Sequence, residues 1–193
     1  MSWPSWLPLR DELKNLKAYG APQIETKARL NTNENPYAPS EKLAAAIAKR
    51  INEVAKGLNR YPDRDANKLR DDLATYLFKQ SKVSLNRENI WVANGSNEII
   101  QSVFLAFGVK SALGFLPSYS MHSHLANVIG VEWIEGLRNA DFSLDVERAA
   151  KQIKDQKPSL TFITTPNNPT GTSIKISEIE VLAKAAAEIK GLL

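Results

Sequence analysis

Leu160-Thr161-Phe162-Ile163-Thr164 runs directly into Thr165-Pro166-Asn167-Asn168-Pro169-Thr170-Gly171. A short apolar run with β-branched and aromatic members, stopped by Pro, Asn and Gly, reads as a strand delivered into a turn. Helical periodicity follows over Ile179 to Ile189, and it precedes the run over Val146 to Gln156, where Val146, Ala149, Ala150 and Ile153 share one face. The alternation continues towards the amino terminus, with a strand over Val131 to Ile134, a helix over Met121 to Ile129 and a strand over Ala112 to Leu116. Before these come a helix over Asn97 to Phe107 and a strand over Ile90 to Ala93. Parallel neighbours need crossovers of helix length, so this spacing predicts an α/β architecture with a mostly parallel sheet between helix layers.

Upstream of Asn86 the rhythm is helical only. Leu43, Ile47, Ile51 and Val54 recur at helical spacing between the start signal Pro39-Ser40 and Gly57. Asn59-Arg60-Tyr61-Pro62-Asp63 breaks the chain, and Leu69, Leu73, Tyr76 and Leu77 restart the period as far as Lys79. The first residues read as a short amphipathic piece, Leu9 to Tyr19, followed by an arm holding Gly20, Pro22 and the extended stretch Lys27 to Asn33, with no core of its own.

Composition sets outer limits. The chain has 193 residues, 43% apolar and 24% charged, enough for a sizeable core and unlike a disordered tail. Lys plus Arg number 25 against 21 Asp plus Glu, a net +4 with no run of five like charges, so nucleic acid is not an expected partner. The absence of cysteine removes disulfides, thiolate metal sites and thiol nucleophiles. No apolar stretch approaches the roughly 20 residues that span a bilayer, and Met1 to Asp11 lacks the apolar core of a signal peptide. The expected location is the cytoplasm, without membrane attachment.

In parallel sheets ligands collect at the carboxyl ends of the strands, which directs attention to three loops. Asn94-Gly95-Ser96-Asn97-Glu98 joins a strand to a helix; the backbone N–H groups of Ser96 and Asn97 at a helix start form an anion site, while the same residues also suit a plain capped turn. Pro117-Ser118-Tyr119-Ser120-Met121-His122 places an aromatic at a strand end, where Tyr119 either stacks on a planar ligand or covers the sheet. Pro166-Asn167-Asn168-Pro169 is a rigid turn that either presents an amide to a ligand hydroxyl or simply makes a sharp connection. His122 and His124 are the only histidines, and two residues apart they do not share a helix face, which argues against a metal pair.

Together these loops carry more than each does alone. Pro-Asn-Asn-Pro-Thr-Gly at 166–171, Pro-Ser-Tyr at 117–119, Gly-Ser-Asn-Glu at 95–98, Arg60-Tyr61-Pro62-Asp63 and the arm segment Leu30-Asn31-Thr32-Asn33-Glu34-Asn35-Pro36-Tyr37 resemble the fold-type I pyridoxal-phosphate aminotransferases. Within them the arm and the Arg-Tyr-Pro-Asp motif are most similar to the histidinol-phosphate aminotransferase subfamily. The resemblance implies pyridoxal 5'-phosphate as cofactor. It implies Ser96 and Asn97 as phosphate donors, Tyr119 as the ring stacked on the cofactor, and Asn168 as the amide on its phenolic oxygen. Tyr61 resembles the family tyrosine that reaches the phosphate of a neighbouring subunit, so a homodimer is implied, and His122 is expected behind the Tyr119 ring. The implied activity is transfer of an amino group between histidinol phosphate and 2-oxoglutarate in histidine biosynthesis.

The resemblance also implies a lysine that carries the cofactor as a Schiff base, an acid for the pyridinium nitrogen, and arginines for substrate anions. Lys175, Lys184 and Lys190, the lysines beyond Gly171, lie in no matching context, so no catalytic residue is assigned. The expected organisation is an arm over 1–38 and an incomplete cofactor-binding large domain over 39–193, without its C-terminal part or the small domain, and inactive on its own. Two other readings stand beside it: a non-catalytic α/β module serving as a binding or dimerisation partner, and another pyridoxal-phosphate enzyme of the same fold. An in-frame continuation carrying the lysine separates the first reading from the module.

Overall fold

The computed structural model describes residues 4, 6–14, 16, 20, 22 and 24–193. Part of the amphipathic piece expected over Leu9 to Tyr19, namely residues 15 and 17–19, lies outside them. The chain forms two units, Met1–Ala18 with Ala93–Leu193, and Tyr19–Val92.

In Tyr19–Val92, residues 24–40 carry neither helix nor strand. Helix α1, Glu41–Ala55, starts where the Ser40 hydroxyl accepts the Leu43 N–H at 3.3 Å, a side-chain cap for a donor that has no partner within the helix. Its apolar stripe stays open within this unit, with Leu43, Ile47, Ile51 and Val54 all exposed. Helix α2, Asn67–Ser81, buries Ala74. Arg70 of α2 donates to the carbonyls of Arg87 and Ile90, both with Nε–O distances of 2.9–3.0 Å. The strand expected over Ile90 to Ala93 does not form. Ile90 is extended, but an extended segment becomes a strand only beside another edge, and the Ile90 carbonyl is taken by Arg70 instead.

The other unit holds the sheet. Helix α3, Ser96–Phe107, leads to β1, Ser111–Leu116; α4, Met121–Ile129, leads to β2, Glu132–Leu137; α5, Val146–Gln156, leads to β3, Leu160–Phe162; and α6, Ile176–Glu188, follows. The strand order is β2-β1-β3, with both pairings parallel. Alternate residues of the central strand face opposite layers. Leu113 and Phe115 pack with Ala149, Ala150 and Ile153 of α5 and Leu182, Ala185 and Ala186 of α6. Ala112 packs on the other side with Phe104 of α3 and Met121, Leu125 and Ala126 of α4. Burying Leu113, Ile153 and Leu182, each fully enclosed, stabilises the unit by about 2 kcal/mol per side chain.

The expected helices over Met121 to Ile129 and Val146 to Gln156 form with those bounds. The second strand runs further than Val131 to Ile134 because Glu135, Gly136 and Leu137 continue the pairing with β1. The third ends at Phe162, before Ile163 and Thr164. Gly114 is required where it stands: a Cβ there would lie 2.4 Å from Cζ2 of Trp133, whose indole crosses the strand. Among the described residues of the amino-terminal piece, Asp11–Leu13 form a 3-10 turn, and Arg10 donates to the Ile129 carbonyl at 3.2 Å, closing the end of α4.

Candidate active site at the carboxyl ends of the strands

β1 hands the chain to α4 on one face of the sheet, whereas β3 hands it to α6 on the other. Neighbouring strands whose connections depart to opposite faces open a crevice at their carboxyl ends. Two contacts tie its walls together: Ser118 Oγ lies 3.1 Å from Thr164 Oγ1, and Asn167 Nδ2 donates to the Pro117 carbonyl at 3.0 Å.

The start of α3 reaches the same place. Gly95 precedes the helix at φ +82°, in the left-handed region that glycine enters without strain. Glu98 turns its carboxylate back onto the Asn94 N–H at 2.6 Å, and the N–H groups of Ser96 and Asn97 make no hydrogen bond among the described residues. Ser96 is exposed and Asn97 half-buried. The Tyr119 hydroxyl donates to Asn97 Oδ1 at 3.0 Å, joining the loop after β1 to this helix start.

Behind Tyr119 stands an aromatic wall. His122 meets it edge-on, with ring centroids 5.5 Å apart and planes at 87°, and itself stacks on Phe162 at 4.6 Å. Phe162 in turn lies 5.1 Å from Phe104. Burial pushes the His122 imidazole below its ordinary pKa, because the charged form loses hydration there, so it stands neutral at neutral pH.

The structure therefore brings Asn97 and Tyr119 into contact, with Ser96 beside them on the same turn. Asn168 is half-buried in the loop that Asn167 anchors to Pro117, and its carboxamide makes no hydrogen bond among the described residues. Tyr61 is fully exposed and belongs to the Tyr19–Val92 unit. His122 touches the Tyr119 ring edge-on. Two contacts have no signature in the sequence pattern, that of the Asn97 side chain with Tyr119 and that of Asn167 with Pro117, because their partners lie far along the chain.

This donor set fits a phosphorylated planar heteroaromatic such as pyridoxal phosphate. Open amides at a helix start suit a dianion, a half-buried ring with its hydroxyl pinned offers a flat surface, and an uncommitted carboxamide suits a ring oxygen.

Fold and site together define an aminotransferase-like α/β protein. The chain belongs to the aminotransferase class I and II family, whose model matches residues 25–193. It is 50% identical over 185 residues to the histidinol-phosphate aminotransferase of Corynebacterium glutamicum strain R, covering 95% of this chain and 50% of that protein. The protein of the same name from Rhodococcus jostii strain RHA1 is 48% identical, with 95% of this chain and 49% of that protein covered. The chain thus spans about half the length of the curated relatives it matches. Among solved structures, aspartate aminotransferase from Thermus thermophilus with maleate superposes with a TM-score of 0.71 at 24% identity, covering 84% of this chain and 43% of that one. An aminotransferase from Mycobacterium tuberculosis gives 0.71 at 19% identity, over 84% and 42%. These two likenesses speak for the fold. Among the described residues no helix is long and apolar enough to cross a membrane.

Proposed function

We propose that the chain carries the cofactor cradle of a pyridoxal-phosphate-dependent histidinol-phosphate aminotransferase, with residues 1–38 as arm and 39–193 as part of the large domain. The whole protein exchanges an amino group between histidinol phosphate and 2-oxoglutarate in histidine biosynthesis, as a cytoplasmic homodimer without nucleic-acid or membrane partners. The observation that carries the reading is the Tyr119–Asn97 bond, which sets an aromatic face against a helix start with open amides. The relatives at 48–50% identity supply the substrate.

Each residue has a physical task. Ser96 and Asn97 hold the phosphate through their N–H groups, aided by the partial positive charge of the α3 start. Tyr119 lies on the cofactor ring, and its bond to Asn97 keeps the ring from turning away. Asn168 donates its amide to the phenolic oxygen. Tyr61 reaches the phosphate bound by the second subunit. His122 and Phe162 exclude water behind Tyr119. When bound, pyridoxal phosphate supplies the electron sink for the carbon that gains or loses the amino group.

The test compares pyridoxal phosphate with pyridoxal, which lacks the phosphate, by equilibrium titration of the purified chain. The reading expects pyridoxal phosphate to bind at about millimolar concentration, since a helix start and a few amides supply only a few kcal/mol. It expects pyridoxal to bind at least about tenfold more weakly. Equal affinity for the two removes the phosphate seat.

A further inference from the structure

We infer that Asn167 is the positioning residue of the crevice, holding Asn168 and Tyr119 in register through a one-way relay of hydrogen bonds that ends on the Phe142 carbonyl. The inference deepens the cofactor reading above and rests on it for its purpose, though not for its geometry.

The direction of the relay follows from counting protons. Thr172 Oγ1 donates its single proton to the Phe142 carbonyl at 3.1 Å. It therefore accepts in its contact with Thr170 Oγ1 at 2.9 Å, and Thr170 must be the donor there. The Thr170 oxygen then has only lone pairs to offer Asn167, and Nδ2 donates to it at 2.8 Å. The second amide proton goes to the Pro117 carbonyl, which can only accept. Both Asn167 amide protons are thus committed, and the amide orientation is set by chemistry.

The backbone of Asn167 is committed too. Its N–H donates to the Thr172 carbonyl and its carbonyl accepts the Gly171 N–H, each at 2.7 Å. Asn167 is 2% exposed. At the far end, Arg138 donates to the same Phe142 carbonyl at 3.2 Å and, through Nε, to the Phe115 carbonyl of β1 at 3.3 Å. The relay consequently joins the carboxyl ends of all three strands. Asn168 sits next to its source, and Tyr119 sits two residues after Pro117, its first acceptor. A carboxylate at position 167 would set a lone pair against the Pro117 carbonyl, and would keep the Thr170 contact only by drawing the Thr170 proton away from Thr172.

The experiment uses the full chain with Thr170→Val, which keeps the shape and deletes the hydroxyl, and Thr170→Ser, which restores it. In the ligand-free protein the Asn168 side-chain amide signals in a 1H–15N spectrum should move in Thr170→Val and return near their original positions in Thr170→Ser. Pyridoxal phosphate affinity should fall about tenfold in the first and return to within about twofold in the second, the scale of one buried hydrogen bond. Thermal unfolding separates these effects from loss of the fold. Unmoved Asn168 signals in Thr170→Val, or a Thr170→Ser variant as impaired as Thr170→Val, overturn the relay. If the unsubstituted chain takes up no pyridoxal phosphate, the cofactor reading fails, and the amide signals alone decide the relay.

Discussion

Tyr119 and Asn97 meet through one hydrogen bond, Oη to Oδ1 at 3.0 Å, although they belong to the loop after β1 and the first turn of α3. The bond fixes the ring plane beside two open N–H groups, so affinity for a flat anion depends on the ring and on its tether separately.

Replacing Tyr119 with Ala removes both. Pyridoxal phosphate should bind about fivefold more weakly, equivalent to about 1 kcal/mol of lost stacking. Tyr119→Phe keeps the ring and loses only the tether, and should fall between the two proteins in the same calorimetric titration.

Gly114→Ala should destabilise the sheet unit. The added methyl meets Trp133 at 2.4 Å, and forcing the indole aside costs about 1–3 kcal/mol. Urea unfolding measures this, and combining the substitution with Trp133→Phe should recover part of the loss.

How legible such features were depended on whether their causes were local. The bounds of α4 and α5 followed from the residues at their ends: Gly130 takes the left-handed conformation after α4, and the Asp145 carboxylate accepts the Arg148 N–H before α5. β2 was cut short in the sequence because Glu135 and Gly136 interrupt the apolar run; the strand continues through them since its register against β1 is set by the backbone. Ile90 to Ala93 looked like a strand by composition, yet pairing needs a neighbour that no local pattern announces. Ser96, Tyr119 and Asn168 were visible as loop residues at strand ends. Asn167 was not, because its partner, the Pro117 carbonyl, lies fifty positions away along the chain.

Core packing gives a third expectation. Ile153 is fully buried between β1 and α6, so Ile153→Ala should cost about 2–5 kcal/mol through lost transfer energy and a residual cavity. Chemical denaturation should show the shift in midpoint.

The buried His122 makes stability depend on pH. Its folded pKa lies below the ordinary 6.5, so the unfolded chain takes up a proton first as pH falls. Its contribution is fully present above pH 6.5 and is lost as pH drops from there through the folded pKa. Unfolding free energies measured across that window should decline for the unsubstituted chain, and the decline should be shallower in His122→Phe.

On the proposed reading, Ser96, Asn97 and Asn168 serve one ligand. A 1H–15N titration of the chain with pyridoxal phosphate tests it most directly. The backbone amides of Ser96 and Asn97 and the side-chain amide of Asn168 should shift together along a single saturation curve. Gly191, at the opposite end of the strands, should stay in place. Shifts of Ser96 and Asn97 with none at Asn168, or saturation at different concentrations, would contradict it.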